Sequence, residues 1–291
     1  MKFEVKKVFV FLPLIAALAA CGGGGSDGDT AVNANVGTGT TGTTGGSAGG
    51  STGTTTGGGS TGTSTSSVTA FAPGTSPRYV VMSTALQGAG RLQAVDQQAN
   101  GGVVALNGNV LAGADRVVAD ITGDASVALG RWTKGTATLG STTTTLGATV
   151  YSNVHYIAYN ALDAFPTSGA YTCDAGKFTS PTLVEDPNTP EIGTARGSAA
   201  LSYTASGAVV DASITVDLGN GKTGTVSATG RTLSSPTTSL YTGSLLSSGM
   251  QGLMLSTAKG TGARHRVIVG YVAVADGTRY RGIATFDCAA Q

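Results

Sequence analysis

The chain has 291 residues, of which 46 are Gly, one is Trp and 11% are charged. Seventeen Lys+Arg against sixteen Asp+Glu leave a formal net charge of +1, which removes the electrostatic case for nucleic-acid binding, since that needs a basic face to neutralise phosphates. The acids divide into 13 Asp and 3 Glu, and Asp favours turns where Glu favours helices, so the composition argues against a helical bundle.

The chain opens with Lys2, Lys6 and Lys7, followed by an apolar run over 8–20. That run falls short of the about 20 residues a helix needs to cross a bilayer core, so 1–20 reads as an export signal. It ends Leu18-Ala19-Ala20-Cys21, which resembles the lipobox of bacterial lipoproteins, where the Cys is lipidated before cleavage. The alternative is an ordinary secretion signal with a chance Cys; the tract directly after Cys21 favours the lipobox. The resemblance implies a mature chain beginning at Cys21 and held in a membrane by palmitate-type acyl chains. Gly22, where retained lipoproteins carry Asp, implies delivery to the outer membrane. Without 1–20 the chain loses three Lys and one Glu, leaving 14 basic against 15 acidic side chains.

Residues 21–67 read as the lipidated Cys and a disordered tether. Positions 22–67 hold 17 Gly, 13 Thr and 7 Ser, too few apolar groups to offset the entropy of ordering. As a Gly-rich coil this tract would span roughly 35–40 Å. The pattern Gly-x-Ser-x-Gly occurs within it at Ser26, Ser47, Ser51 and Ser60, but a nucleophile elbow needs a strand before the Ser and a helix after it. These matches come from repetition.

From 68 to 291 the apolar residues return at short spacing, and this part is long enough to bury a sizeable core. Strands are expected at 78–83, 103–106, 116–121, 126–132 and 149–159, then at 199–204, 208–218, 223–229, 264–274 and 278–288. Short strands separated by Gly, Asn, Asp and Pro point to an all-β sandwich or barrel. One helical turn is allowed at 160–165. Around Gly219-Asn220-Gly221 the register can be derived. A two-residue loop would set Ile214 opposite Ser227 and mix the faces. A three-residue loop pairs Ile214 with Val226, Ala212 with Ala228, Ser213 with Ser227 and Thr215 with Thr225, which a buried face demands. The second hairpin, at Asp276-Gly277, alternates poorly. Tyr271, Val272, Val274, Tyr280 and Ile283 fall on both faces, so this ribbon is either covered on both sides or exposes an apolar face. Beyond Cys21 the remaining cysteines are Cys173 and Cys288, an even pair for an oxidising compartment and hence an expected disulfide. Zinc is the rival reading, but two Cys and two distant His make a poor ligand set.

Further along, Gly130-Arg131-Trp132-Thr133-Lys134-Gly135, His155-Tyr156-Ile157, Pro166-Thr167-Ser168-Gly169-Ala170-Tyr171, Val216-Asp217-Leu218-Gly219 and Gly282-Ile283-Ala284-Thr285-Phe286 occur in that order. The succession, over roughly 126–287, resembles the β-barrel domain of transferrin-binding-protein-like surface lipoproteins, a barrel also found at the C-terminus of some FecR-domain proteins of Gram-negative bacteria. The resemblance implies a small antiparallel up-and-down barrel of about eight strands, with extra N-terminal strands, within a 68–291 domain. The Cys173–Cys288 pair departs from that pattern. The long iron-protein-binding lobes of larger members are absent, so transferrin binding is not carried over.

Trp132, His155 and Tyr156 are the candidate ligand-binding residues, with a plug in the barrel end as the competing role for Trp132. His155 lacks a carboxylate and a nucleophile at a recognisable spacing, and a backbone-bonded structural histidine is the competing reading. His265 suits an exposed strand start. Arg264, Arg266, Arg279 and Arg281 form two pairs at the ends of one hairpin, read as solubility and edge protection. Asp115 and the Asp120–Asp124 stretch lack calcium-loop spacing. No catalytic set, metal site or cofactor motif is expected. Two classes of function follow: a non-enzymatic, surface-exposed outer-membrane lipoprotein whose barrel binds a host or envelope protein or a small ligand, or a periplasm-facing envelope hydrolase or inhibitor of an envelope enzyme.

Overall fold

β-branched and aromatic residues broken every few positions by turn formers can satisfy their backbones only by pairing between strands. A computed structural model describes residues 68–84, 86–184, 193–243 and 251–291; the expected signal, Cys21 and tether lie outside these. The described residues form strands throughout, with one 3-10 turn (Val150–Ser152) and no α-helix.

The first eight strands are β1 (Pro77–Met82), β2 (Gln87–Arg91), β3 (Val95–Gln97), β4 (Val103–Leu106), β5 (Asn109–Asp124), β6 (Val127–Leu139), β7 (Thr142–Leu146) and β8 (Val154–Asn160). They form one antiparallel sheet in the order β2-β1-β8-β6-β5-β4-β3, with β7 also on β6. Three register shifts along β5 bend it and curl this sheet into a half-barrel.

The second group is β9 (Gly169–Cys173), β10 (Lys177–Phe178), β11 (Thr182–Leu183), β12 (Thr194–Thr204), β13 (Gly207–Asp217), β14 (Thr223–Leu233), β15 (Leu240–Gly243), β16 (Gly252–Lys259), β17 (His265–Ala275) and β18 (Thr278–Ala290). The path β14-β13-β12-β9-β18-β17-β16-β15 is a nearly closed eight-stranded antiparallel barrel. From β9 onward each main strand except β14 pairs with the next in the chain, and β18 returns to pair with β9, so the barrel is up-and-down. The gap falls between β14 and β15. Cys173 and Cys288 are directly opposite across β9 and β18 and joined by a disulfide, which fastens the first barrel strand to the last.

The derived hairpin register is the observed one: Ile214 faces Val226, Ala212 faces Ala228, and the polar pairs match. Gly219 and Gly221 take φ of 76° and 80°, and the Leu218 N–H donates to the Lys222 carbonyl at 3.0 Å to close the loop. At the other hairpin, Asp276 and Gly277 both adopt left-handed φ, 49° and 75°, as the two-residue turn requires.

Three apolar layers hold the structure. Inside the barrel, Val210, Ile214, Leu253, Val267, Tyr271 and Phe286 are buried among one another, so the interior is filled. Within the half-barrel lie Val81, Leu106, Trp132 and Tyr156. Between the two, Val80, Leu129 and Ile157 of the first sheet pack on Met254, Ile268, Val272 and Ile283 of the barrel wall. The ribbon of β17 and β18 is therefore covered on both sides, which is why its alternation was poor. Two expectations need correction. The first part of 149–159 is the 3-10 turn and not strand, and 160–165 contains no helical turn.

Candidate functional site

Successive residues on a strand point to opposite faces, and this separates the three candidates. On β8, Tyr156 points into the half-barrel while His155 points at the barrel wall. Trp132 shares the face of Tyr156, and the ring centroids are 6.0 Å apart. The two aromatics grip the backbone of one residue on β4. Trp132 Nε1 donates to the Val103 carbonyl at 2.7 Å, and the Val103 N–H donates to Tyr156 Oη at 2.9 Å. Burial pushes the Tyr156 phenol well above its ordinary value, so it stays protonated. Gly130, opposite Tyr156, makes this possible, because a Cβ there would lie 2.2 Å from Oη. The pair thus ties β4 to β6 and β8 within the half-barrel, and Trp132 does not plug the eight-stranded barrel.

His155 is fully buried between the sheets. Its Nδ1 and Nε2 lie 2.7 Å from the hydroxyls of Thr179 and Thr182, respectively, so it is held by side chains and not by backbone. Thr179 is in turn tied to Ile283 of β18, accepting from its N–H at 3.0 Å. Burial first, then the nearby Arg281 and Arg131 charges, holds the imidazole well below its usual range, so it is neutral. This is a pin between β8 and the short strands that cover β18. His265 is half-buried and not an exposed strand start: it stacks on Tyr171 at 4.7 Å, and its Nδ1 is 2.8 Å from Tyr203 Oη.

Three of the four arginines of the last hairpin depart from the solvating role expected of them, while Arg264 remains exposed. Arg266, Arg279 and Arg281 are 7%, 5% and 2% exposed. Arg266 bonds Asp124 at 2.5 Å, Arg264 pairs with Asp287 at 3.3 Å, and Arg131 of the first sheet pairs with Asp120 at 2.8 Å. Asp120 also accepts from the Ser180 N–H at 2.8 Å. Asp120 and Asp124 are thus counter-charges along the contact between half-barrel and barrel.

At one end of this contact, beside the turn from β1 to β2, a cavity of about 200 Å³ opens. Ser83, Thr84, Gln87, Arg279 and Arg281 supply its polar lining, and Met82 and Val184 its apolar walls. Sequence reasoning missed Gln87, Thr179, Thr182 and the roles of Asp120 and Asp124. The usable signal was in β18, where Arg279, Arg281, Ile283 and Asp287 alternate with the barrel-filling Tyr280, Ala284, Phe286 and Cys288. Charged residues sharing a face with Ile283 mark a surface that is covered and still polar. Among the described residues no group of three or more His, Cys, Asp or Glu is placed to hold a metal ion.

These features define an all-β protein in which a half-barrel sheet covers one wall of a filled, disulfide-bonded barrel. Comparison with protein-family models, with curated proteins and with solved structures finds no match for the chain.

Proposed function

We propose that this chain is an outer-membrane lipoprotein, anchored through acyl chains on Cys21, that presents its β-barrel domain at the cell surface as a non-enzymatic binding module of the transferrin-binding-protein-like type. The observation that carries the reading is the order of the first 67 residues: three lysines, a short apolar run, Leu18-Ala19-Ala20-Cys21, and then a Gly/Thr/Ser tract. Such a tract lifts a folded domain from a membrane without fixing its orientation. Two features of the domain support a binding role on its outside. The barrel interior is occupied by its own side chains, so a partner protein or small ligand is engaged from the outer surfaces. His155, the residue best suited by type to general-base work, is committed to Thr179 and Thr182.

The test is metabolic labelling of expressing cells with an alkyne fatty acid, alongside Cys21→Ser. The expected result is label in the parent and none in the variant, with the domain digested by proteinase K added to intact cells. Unlabelled parent protein, or a domain digested only after lysis, overturns the anchored or the surface-exposed part respectively.

A further inference from the structure

A second cavity, of about 420 Å³, lies at the other end of β1, lined by Thr75, Ser76, Pro77, Arg78, Arg91 and Thr237. Its two cations sit directly opposite one another, Arg78 on β1 and Arg91 on β2. Among the described strand pairs this is the one place where two permanent like charges face each other; on β17 and β18, by contrast, Arg266 faces Asp287. Directly opposed residues bring their Cβ atoms to roughly 4.5–5.5 Å, and like charges there are destabilising. Neither guanidinium has a hydrogen bond or an ion pair among the described residues. Arg91 is exposed and Arg78 half-buried. The Arg78 Nε is enclosed by protein, so the terminal nitrogens are its donors toward the cleft. The carboxylate that borders the cleft, Asp163, accepts from Thr75 Oγ1 at 2.8 Å and is already paired with Lys259 at 2.8 Å. Among the described residues no acidic side chain lines the cavity itself. Two guanidinium forks beside the hydroxyls of Ser76 and Thr237 exclude a cation and match the oxygens of an anion, which arginine holds in charge-assisted hydrogen bonds. The volume falls within the roughly 300–1,000 Å³ of small-ligand sites.

We propose that this cleft binds an oxyanionic group, the phosphate, sulfate or carboxylate of a larger ligand, held between Arg78 and Arg91. The anion replaces the repulsion between the two strands by attraction to both. The site deepens the binding role proposed above and rests on that reading for its place at the cell surface. Its geometry is independent of the anchor, so the labelling of Cys21 and the response to anions can fail separately.

The test follows thermal unfolding of the full chain, purified in detergent, against inorganic phosphate, sulfate and acetate, with chloride at matched ionic strength as reference. Saturable stabilisation by at least one of the three beyond chloride is expected, and the strongest assigns the group. Arg91 is exposed, so replacing it does not endanger folding. Arg91→Gln is expected to weaken the affinity for the stabilising anion at least about tenfold, the loss of one charge-assisted partner. Arg91→Glu sets a carboxylate opposite Arg78, and is expected to raise the unfolding midpoint in chloride while abolishing the anion response. Arg231→Gln is the control for net charge: Arg231 is also exposed, but it faces Val210 and no second cation, so the response should be unchanged. Phosphate, sulfate and acetate all acting like chloride, a response that survives Arg91→Gln, or an equal loss in Arg231→Gln overturns the proposal.

Discussion

Strands β13 and β17 are both 11 residues long and both line the same barrel interior, yet their sequences look unrelated. β13 sets Ala212, Ile214 and Val216 inward and Ser213, Thr215 and Asp217 toward water. β17 sets Val267, Val269, Tyr271 and Ala273 inward, with Ile268 and Val272 outward under the half-barrel. The inward demand is the same on both walls. What differs is the far side, so alternation along a strand reports what lies outside the barrel and not what lies within.

The largest expected effect comes from separating the two walls. β9 stands between β12 and β18, so the disulfide fastens the open wall to the covered one. Closing a loop between cysteines 115 residues apart contributes about 4–5 kcal/mol in the chain-entropy model. Replacing both cysteines by Ser is expected to lower the urea unfolding free energy by an amount of that order, and reduction of the parent should match it.

Next is the covered face itself. Ile283→Ala leaves a void between the half-barrel and the barrel, and is expected to cost about 2–5 kcal/mol by denaturant unfolding. A smaller effect is expected with pH at the pin between the sheets. His155 is held below its ordinary value of 6.5 by burial and by Arg281 and Arg131, so the unfolded chain takes up a proton first. Stability is then full above about pH 6.5 and falls as pH drops below it, by up to about 1.4 kcal/mol per pH unit. His265, lowered by burial, acts in the same direction. His155→Gln should flatten the slope without abolishing it, as measured by unfolding midpoints over this window. On the open wall, Ser213→Ala is expected to stay within about 0.5 kcal/mol of the parent; a loss comparable to that of Ile283→Ala would erase the distinction between the walls.

That distinction also explains what could be read in advance. The β13–β14 register was legible because one face meets water and the other does not. The Cys173–Cys288 pairing followed from the cysteine count and the expected compartment. β16 was not found, because Gly252–Lys259 is covered on both faces and has no period to detect. Short strands such as β10 and β11 owe their existence to pairing with β18, and no local signal encodes that. At the candidate site, Trp132 and Tyr156 were recognisable as special, but their shared partner, the Val103 backbone, depends on how β4 is placed. Arg279 and Arg281 were misread as solvated because nothing near them in the chain announces the sheet that covers them.

The central claim is that the outer face of β16–β18 is an internal surface, so that half-barrel and barrel open together. Native-state hydrogen exchange on the full chain, comparing the parent with Ile157→Ala, tests it most directly, because Ile157 sits on β8 and reaches the barrel through that face. The expected result is that amides of β17 and β18 lose protection along with those of β8. Loss of protection confined to β1, β6 and β8, with β17 and β18 unchanged, would contradict it.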